Sequence, residues 1–456
     1  MINIFNYLKK NKYKILLIFV VLFFVGFLGL WNIVSEGYDR QNKTILFIKK
    51  FIPSEIARKV RDTIFIIPDL KERNKFLELV VRKYDQGLDG KLFNEAVILS
   101  EKNKNKYNFR EFFIPFERLD LRLGWASTTN TLRKHYFDII NDKILLISGN
   151  GKSIYFDKKN IFDKKLNQKN IPNNITSILD NNNYVPMGIR DVYIEKDKVY
   201  ISLYFKINQK YSMNIYRADL NFNKLNFEIF FESNLFWNKW TTRTGGRIEK
   251  YKDNKILLTL GDGAIKGSSQ DLESLLGKII SIDKTTKKYE IVSMGHRNPQ
   301  GLYYFKNLDM IINTEHGPKG GDEININLQN SSEIPNFGWD ISSYGTPYSG
   351  KDTYKKSHSE YGFVEPFKNY SPAIGISQIV LGSENSKKDN KYLYVSSLRA
   401  SSLYIIKANN KITEIINEDR IYFGEKRIRD IKYDKDQDII FLMFDNIPSF
   451  GTLKLN

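Results

Sequence analysis

Four segments in the middle of the chain concentrate the residue types that bind or exchange charge. They read MGHRNPQGLYYF (Met294–Phe305), NTEHGPKGGDEININ (Asn313–Asn327), NFGW (Asn336–Trp339) and SYG (Ser343–Gly345). Together they form the densest run of glycine, proline, histidine and paired charges in the chain, and the glycines and prolines mark them as loops. Because loops usually carry the functional residues of a rigid scaffold, we expect the functional site to form where these segments converge.

These motifs, in this order, resemble the soluble quinoprotein glucose dehydrogenase family, including the aldose sugar dehydrogenases also called glucose/sorbosone dehydrogenases. The stretches GHRNPQGL and EHGPKGGDE carry the resemblance, which covers residues 240–456, with a compatible strand pattern from 130 to 240. It implies a six-bladed β-propeller that binds pyrroloquinoline quinone (PQQ) and calcium and oxidises a sugar. PQQ is a planar tricarboxylate with an ortho-quinone, so its pocket needs fixed cations with bidentate hydrogen-bonding geometry.

The resemblance assigns cofactor and metal ligands to particular positions. It places the contacts to the cofactor's carboxylates and carbonyls on Arg297, Asn298, Arg399, Arg427 and Arg429. It places calcium on the main-chain carbonyls of Gly317 and Pro318, with His316 beside them. A hard cation with oxygen ligands is suited to activating a quinone carbonyl.

The position of the catalytic base departs from the family. The family's hairpin H-x-G-G-R supplies a histidine that takes the proton of the sugar hydroxyl, and here the hairpin reads Arg243-Thr244-Gly245-Gly246-Arg247. A guanidinium stays protonated at physiological pH and cannot accept that proton. We expect Arg243 to form a salt bridge with Asp262, which keeps its carboxylate ionised and leaves it as a weak base on the substrate side. The four histidines lie elsewhere, at His135, His296, His316 and His358.

Each assignment has a structural alternative. Arg429 with Asp430 is also the pattern of a structural ion pair, and Arg190 with Asp191 repeats it in another part of the chain. His296 and His316 taken alone are ordinary loop histidines. The early glutamine-and-glycine loop that covers the cofactor in the family has no clear counterpart in residues 116–130.

The elements that must position these residues form a repeat. Hairpins with a charged turn recur at Tyr136–Gly151, Ile189–Phe205, Gly245–Gly263, Gly301–Gly317, Ile428–Phe444 and, more loosely, Lys391–Lys407. Six units spaced by about 40 to 60 residues predict an all-β, six-bladed propeller over 111–456, with the first strand of each blade lining the axis. A two-sheet sandwich is the alternative.

The region before residue 111 reads differently. Residues 15–34 carry no charge and follow four lysines, which predicts a transmembrane anchor with residues 1–34 as cytoplasmic tail and span. Residues 35–110 predict a helical stalk with helices at Ser54–Ile67 and from Asp69 to Gly87. These features predict a single-pass protein of the inner membrane with its C-terminal domain in the periplasm.

The distribution of charge and the absence of cysteine limit the kinds of partner and of crosslink that we expect. The net charge of +18 arises from lysines spread along the chain without a stripe interleaved with aromatics, so we expect no nucleic-acid partner. There is no cysteine, hence no disulfide.

Two functions follow from these observations. One is a membrane-anchored, PQQ- and calcium-dependent sugar dehydrogenase with an unidentified electron acceptor, in which Asp262 and Arg243 act on the substrate. The other is a catalytically inactive propeller that binds a saccharide, an anionic ligand or a protein partner, for which Arg243 is the main evidence.

Overall fold

The computed structural model describes residues 90–114, 134–329, 333–348, 353–382, 390–445 and 449–455. The predicted transmembrane segment and the two predicted stalk helices lie outside these ranges. Across the described ranges, no helix has both the length and the apolar character needed to cross a membrane. The helix content of these ranges is one short α-helix, α1 (Ile175–Asn181), and three 3-10 turns at Lys158–Phe162, Lys306–Leu308 and Ser359–Tyr361.

The described chain is otherwise built from antiparallel strands. A hairpin of β1 (Leu92–Leu99) and β2 (Lys106–Phe113) comes first. Blade 1 contains β3 (His135–Ile140), β4 (Lys143–Ser148), β5 (Ser153–Asp157) and β6 (Lys169–Ile171). Blade 2 contains β7 (Val185–Glu195), β8 (Lys198–Ile207), β9 (Lys210–Asp219) and β10 (Glu228–Glu232). Blade 3 contains β11 (Gly245–Tyr251), β12 (Lys255–Leu260), β13 (Lys278–Asp283) and β14 (Tyr289–Met294).

The remaining blades continue the pattern. Blade 4 contains β15 (Pro299–Phe305), β16 (Met310–Glu315), β17 (Asp322–Leu328) and β18 (Lys368–Tyr370). Blade 5 contains β19 (Ile376–Leu381), β20 (Asn390–Ser397), β21 (Ser402–Asn409) and β22 (Ile415–Tyr422). Blade 6 begins with β23 (Ile428–Asp434), β24 (Ile439–Phe444) and β25 (Ser449–Lys454). The prediction of a six-bladed all-β propeller is confirmed.

Blade 6 is completed from the other end of the chain. Its strand order is β1-β2-β25-β24-β23, and β2 pairs with β25 from Asn108 opposite Lys454 to Phe113 opposite Ser449. The propeller therefore begins by Leu92, and the predicted boundary between stalk and propeller at residue 111 is corrected. The outer strand β1 is largely exposed, so its sequence lacks the buried face that would identify it as a strand.

The first strands of the blades form a closed ring, since each contacts the first strands of the two neighbouring blades. This confirms that the first strand of each blade lines the axis. Five of the six predicted hairpins coincide with a first and second strand. The loose repeat at Lys391–Lys407 falls instead on the second and third strands of blade 5, because β20 and β21 are also two strands joined by a short turn.

The hydrophobic core lies between the blades. Blades 6 and 1, for example, pack through Phe137, Phe156, Phe441 and Phe450, whose rings meet at centroid distances of 5.3 to 5.7 Å. Burying one such side chain is worth about 1.5 to 3 kcal/mol. The blades thus hold the ring rigid, and the loops at its two faces rest on a fixed frame.

Candidate functional site

The repeat explains why distant residues meet at one face of the ring. In an antiparallel hairpin the start of the first strand lies beside the end of the second. Every predicted site residue precedes or begins a first strand, or follows a second strand, and all of them therefore lie at the same face. This face is called the mouth below, and it holds Arg243, Asp262, Arg297, Asn298, His316, Gly317, Pro318, Arg399, Arg427 and Arg429.

Irregularities in the first strands aim side chains at the axis. The pairing of β23 with β24 shifts between Ile428 and Asp430, which makes Arg429 the extra residue of a bulge. Shifts at the corresponding place in β7 and β15 make Arg190 and Gln300 the extra residues there. A bulge redirects the local side chains and is common beside functional sites.

Arg429 is buried and is held by two side chains, Asp445 and Gln300. Its Nη2 and Nε donate to the two carboxylate oxygens of Asp445 at 3.0 and 3.3 Å, and its Nη1 donates to Oε1 of Gln300 at 3.2 Å. Arg427 lies at the rim, with Nε 3.6 Å from Asp445. Although burial opposes it, Arg429 followed by Arg427 holds the pKa of Asp445 well below its usual range. The proposed pairing of Arg429 with Asp430 is wrong, because Asp445 is the partner.

Asp430 pairs instead with Arg247, which closes the axis behind the mouth. Nη1 of Arg247 lies 2.9 Å from Oδ1 of both Asp191 and Asp430. Its Nε donates to the carbonyl of Gln300 at 2.7 Å and its Nη2 to the carbonyl of Arg429 at 3.1 Å. Only 2% of Arg247 is exposed. Arg247 thus connects blades 2, 3, 4 and 6, and its hydrogen bond to the carbonyl of Arg429 helps to fix the main chain of that residue.

Arg297 is buried beside an aromatic ring. Its Nη1 donates to the carbonyl of His316 at 3.0 Å, and its guanidinium carbon lies 5.2 Å from the centre of the Trp339 ring. The Nε of Arg297 has no hydrogen-bond partner among the described residues. The indole N–H of Trp339 donates to Asp262 at 2.7 Å, so Trp339 links Arg297 to Asp262.

Arg243 and Asp262 form the predicted salt bridge, with Nη1 2.7 Å from Oδ2. Oδ2 also accepts from Trp339, and Oδ1 accepts the backbone N–H of Ala264 at 2.8 Å. Asp262 is 2% exposed, and burial raises its pKa while Arg243 lowers it. Both carboxylate oxygens are occupied by donors, so the geometry gives little support to Asp262 as a proton acceptor.

The histidines differ from one another. His296 is fully buried, with Nε2 2.8 Å from the hydroxyl of Ser293 and Nδ1 2.9 Å from Glu315, so it is a structural residue. Glu315 also accepts the backbone N–H of Arg297 at 2.6 Å and so fixes the start of β15. His316 lies in the mouth, where burial followed by nearby cations lowers its pKa to about 3. It is neutral at physiological pH.

The Gly317–Pro318 turn is held from below by Asp322. One carboxylate oxygen of Asp322 accepts the N–H of Gly317 at 3.0 Å, and the other accepts the N–H of Gly375 at 2.6 Å. The carbonyl of Pro318 accepts from the hydroxyl of Tyr348 at 3.1 Å. Among the described residues, no group of three or more His, Asp or Glu side chains could hold a metal, whereas the predicted calcium ligands are main-chain carbonyls.

The remaining predicted ligands have different positions. Asn298 is buried, and its Oδ1 accepts from the N–H of Gly245 at 3.3 Å and from Gln300 at 3.2 Å, which ties the Arg243 hairpin to blade 4. Arg399 follows β20 and is exposed at the edge of the mouth. Its backbone N–H donates to the carbonyl of Ile374 at 2.9 Å. The structure therefore brings Arg399 to the mouth as a rim residue.

Two further basic residues were not predicted from the sequence. Lys134 precedes β3, and burial followed by Arg429 and Arg190 lowers its pKa well below the usual value. Arg190 lies in β7, 3% exposed. A signal for both was present, because each occupies the position in its blade that Arg427 or Arg429 occupies in blade 6. Asp445 was also not predicted, although it follows the second strand of its blade just as Asp262 does, so the repeat contained a signal for it as well.

The described mouth is thus rich in basic groups. Six arginines and Lys134 lie there with three carboxylates, those of Asp262, Asp322 and Asp445. Such an excess of basic groups attracts anions electrostatically.

Comparison with known proteins gives the family. The model of the Glucose / Sorbosone dehydrogenase family matches residues 167–449, from β6 to the beginning of β25. The chain therefore belongs to the glucose/sorbosone dehydrogenase family, as its motifs predicted.

Individual relatives agree with this membership. The aldose sugar dehydrogenase YliI of Escherichia coli is 28% identical over 205 residues, which cover 41% of this chain and 53% of that protein. An uncharacterized protein of Synechocystis sp. is 27% identical over 226 residues, covering 44% of this chain and 53% of that protein. The chain thus spans about half the length of the curated relatives it matches.

Solved structures share the fold. The apo form of the soluble aldose sugar dehydrogenase from Escherichia coli is 21% identical with a TM-score of 0.56, covering 70% of this chain and 94% of that one. The PQQ-bound form of an aldose sugar dehydrogenase from Streptomyces coelicolor is 18% identical with a TM-score of 0.51, covering 71% and 98%. At these identities the likeness concerns the fold.

Proposed function

We propose that this protein is a PQQ-dependent oxidoreductase that acts on an aldose or a related sugar alcohol, with PQQ bound in the mouth. The observation that carries the proposal is the excess of basic groups, buried and half-buried, over carboxylates there, in a chain of the glucose/sorbosone dehydrogenase family. A planar tricarboxylate neutralises that excess. The Nε of Arg297, which lacks a partner among the described residues, is a donor of the required kind.

The chain's own residues divide the work of binding. Arg427, Arg399 and Arg297 bind carboxylates or carbonyls, and Arg429 is oriented for the same role by Asp445 and Gln300. Asn298 keeps the Arg243 hairpin in place. PQQ, when bound, supplies the two-electron acceptor for oxidation of a sugar hydroxyl.

Calcium fits the Gly317–Pro318 turn on chemical grounds, because main-chain carbonyls are ligands that calcium takes. The Pro318 carbonyl keeps one lone pair beside its hydrogen bond from Tyr348. Arg429, Arg297, Arg427 and Lys134 all act on the neighbouring His316, so a bare divalent cation meets repulsion there. We expect calcium to bind only together with the anionic cofactor.

The second candidate function is binding without oxidation. It is favoured by Arg243, which occupies the position of the family's base and donates to Oδ2 of Asp262. Oδ2 also accepts from Trp339, and Oδ1 accepts the backbone N–H of Ala264. His316 does not replace the base, because a group with a pKa of about 3 accepts a proton weakly at neutral pH.

Binding and turnover separate the candidates. Purified full-length protein in detergent is mixed with PQQ and calcium, passed over a desalting column and examined by absorbance, and sugar oxidation is followed with a redox dye. Retained PQQ with dye reduction supports the dehydrogenase, and retained PQQ without it supports the binding protein. Failure to retain PQQ overturns both the cofactor assignment and the redox function.

Arg243→His tests the missing base. In the dehydrogenase proposal the wild type oxidises sugar, and the variant changes its rate and pH profile. If only the variant oxidises sugar, the wild type is a binding protein whose scaffold remains competent. Arg217→His, on the outer part of blade 2, is the control for a newly introduced histidine and should leave the dye assay unchanged.

For location, we propose that residues 15–34 anchor the protein in the inner membrane and that the propeller faces the periplasm. The support is the uncharged segment after four lysines. Protease treatment of spheroplasts tests this directly. Digestion of the propeller in intact spheroplasts is expected, and its protection until lysis would contradict the proposal.

A further inference from the structure

Arg190 is a buried arginine that forms no ion pair with any carboxylate of the described residues. It is 3% exposed, and its Nε and Nη2 make no hydrogen bond to any described residue. Burying a guanidinium without partners is unfavourable, since it loses hydration and gains no ion pair. The free-energy cost of such a group is either offset by other interactions of the fold or recovered when a ligand pairs with it.

The internal repeat supplies a direct comparison. Ile428-Arg429-Asp430 in β23 and Ile189-Arg190-Asp191 in β7 carry the same bulge, with Ile428 paired to Phe444 and Ile189 paired to Leu203. The next residue after Phe444 is Asp445, which binds Arg429. The next residue after Leu203 is Tyr204.

Tyr204 replaces the carboxylate by an aromatic ring. The guanidinium carbon of Arg190 lies 4.8 Å from the centre of the Tyr204 ring, and the Tyr204 hydroxyl donates to the carbonyl of Thr241 at 3.3 Å. The ring holds the flat face of the guanidinium and leaves the N–H groups at its edge unbound. Arg190 thus occupies the same bulge position as Arg429, but it lacks a carboxylate partner of the kind that Asp445 provides for Arg429.

The backbone fixes Arg190 in this place. Gly246 in blade 3 has φ +107°, and a β-carbon there would lie 2.3 Å from the β-carbon of Arg190. Only glycine permits this approach. The side chain is therefore held by packing on Gly246 and Tyr204, and its orientation does not depend on a polar contact.

The surroundings of Arg190 are basic. Burial, followed by Arg429 and Arg190, lowers the pKa of Lys134, and the neighbouring carboxylate, Asp445, is already bound by Arg429 and Arg427. The Nε and Nη2 of Arg190, which are buried, therefore lie near several basic groups, and an anion that reaches them gains from these groups at once.

We propose that Arg190, supported by Lys134, binds a carboxylate group of the ligand that occupies the mouth, beyond the basic residues assigned from the family motifs. The inference rests on the proposed function only in that the ligand is anionic. The carboxylate belongs either to PQQ or to a sugar acid, and both sources present the same planar group to the guanidinium edge.

The experiment is calorimetric titration of PQQ, with calcium present, into full-length wild type, Arg190→Leu and Arg190→Lys. Removing a charge-assisted hydrogen bond costs about 1.5 to 3 kcal/mol, so we expect Arg190→Leu to weaken PQQ binding about 10- to 100-fold. Arg190→Lys should lose less. Arg217→Leu is the matched control, because it removes an arginine of the same blade that is paired with Glu228 at the surface, and PQQ affinity should not change.

Salt dependence and melting distinguish binding from folding. A binding arginine makes the fall of PQQ affinity with added sodium chloride steeper than in Arg190→Leu. Without ligand, Arg190→Leu should melt no lower than wild type, because it removes an uncompensated buried charge. An unchanged salt dependence, or a lower melting temperature with unchanged affinity, overturns the proposal.

Titration of sodium glucuronate in place of PQQ separates the two sources. If PQQ affinity is unchanged by Arg190→Leu but glucuronate binding is weakened, the carboxylate belongs to a sugar acid. If the wild type binds no PQQ, the proposed function fails, and the glucuronate titration alone decides the inference. Equal affinities of wild type and Arg190→Leu for both probes contradict it.

Discussion

The middle of the axis and the mouth differ in whether their buried basic groups have hydrogen-bond and ion-pair partners. In the middle, Arg247 is bound by two aspartates and two carbonyls, and Lys432 lies 3.2 Å from Asp138. At the mouth, Arg190 is nearly as buried and has two nitrogens without a described partner. Both arginines come from bulged first strands of the same repeat.

The difference separates structure from binding. A closed network gains little from a new anion and loses much when one member is removed. A group left unpaired costs stability in the free protein, and that cost is recovered when a ligand pairs it. The ion pairs of Arg247 therefore join the blades at the middle of the axis, while at the mouth Arg190 and Arg297 keep nitrogens without a partner among the described residues.

Replacement of Arg247 should have the largest effect on stability. Arg247→Met leaves the buried carboxylates of Asp191 and Asp430 without their cation, and we expect a loss of about 3 to 5 kcal/mol in the free energy of unfolding. Urea denaturation followed by tryptophan fluorescence measures it. A loss below about 1 kcal/mol would show that the middle of the axis is no more dependent on its ion pairs than the surface is.

Titration of Glu249 should have the second-largest effect, which is a change of stability with pH. Glu249 lies near Asp138 and Asp191, with Lys432 opposing them, and burial is the main cause that raises its pKa to about 8. Its folded pKa exceeds the unfolded value, so the folded state binds the extra proton and stability falls as pH rises from about 5 to about 8.

Glu249→Gln removes this titration. The measurement is the free energy of unfolding at several pH values for both proteins, and we expect the variant's curve to decline less over that interval. His316 titrates in both proteins, so its contribution cancels in the difference. Parallel curves would mean that Glu249 is solvated in the folded state.

Replacement of Lys134 should have the smallest effect. Lys134→Met removes a half-buried amine that lies beside Arg190 and Arg429, so we expect the free energy of unfolding to stay the same or rise by up to about 1 kcal/mol. The same urea experiment measures this. A clear destabilisation would contradict the difference between the mouth and the middle of the axis.

Much of the fold could be predicted because its signals are local. Hairpins with a charged turn recur along the chain, and the Gly-rich motifs fix the loops of blade 4, so six blades and the faces of their loops follow from the sequence. The pairing of β2 with β25 could not be predicted, because it joins segments more than 300 residues apart and leaves β1 without a buried face.

The candidate site was predicted in its residues more than in its contacts. Arg243 with Asp262 is the predicted pair, yet the indole of Trp339 on the same carboxylate comes from a loop 77 residues away. Arg429 was considered as the partner of its neighbour Asp430, but Arg429 is the extra residue of a bulge that redirects the local side chains. Arg429 therefore pairs with Asp445 and Asp430 with Arg247, contacts that adjacency in the sequence does not reveal.

The sequence by itself determined the family, the repeat, the motif residues at the mouth and the absence of a histidine at position 243, since these are properties of residue order. Only the tertiary structure decided which arginines are satisfied. Whether a buried guanidinium has a partner depends on which side chains other blades bring within about 3 Å. That distance is set by ring closure and bulges, and it gives Arg247 two aspartate partners and leaves two nitrogens of Arg190 without a partner among the described residues.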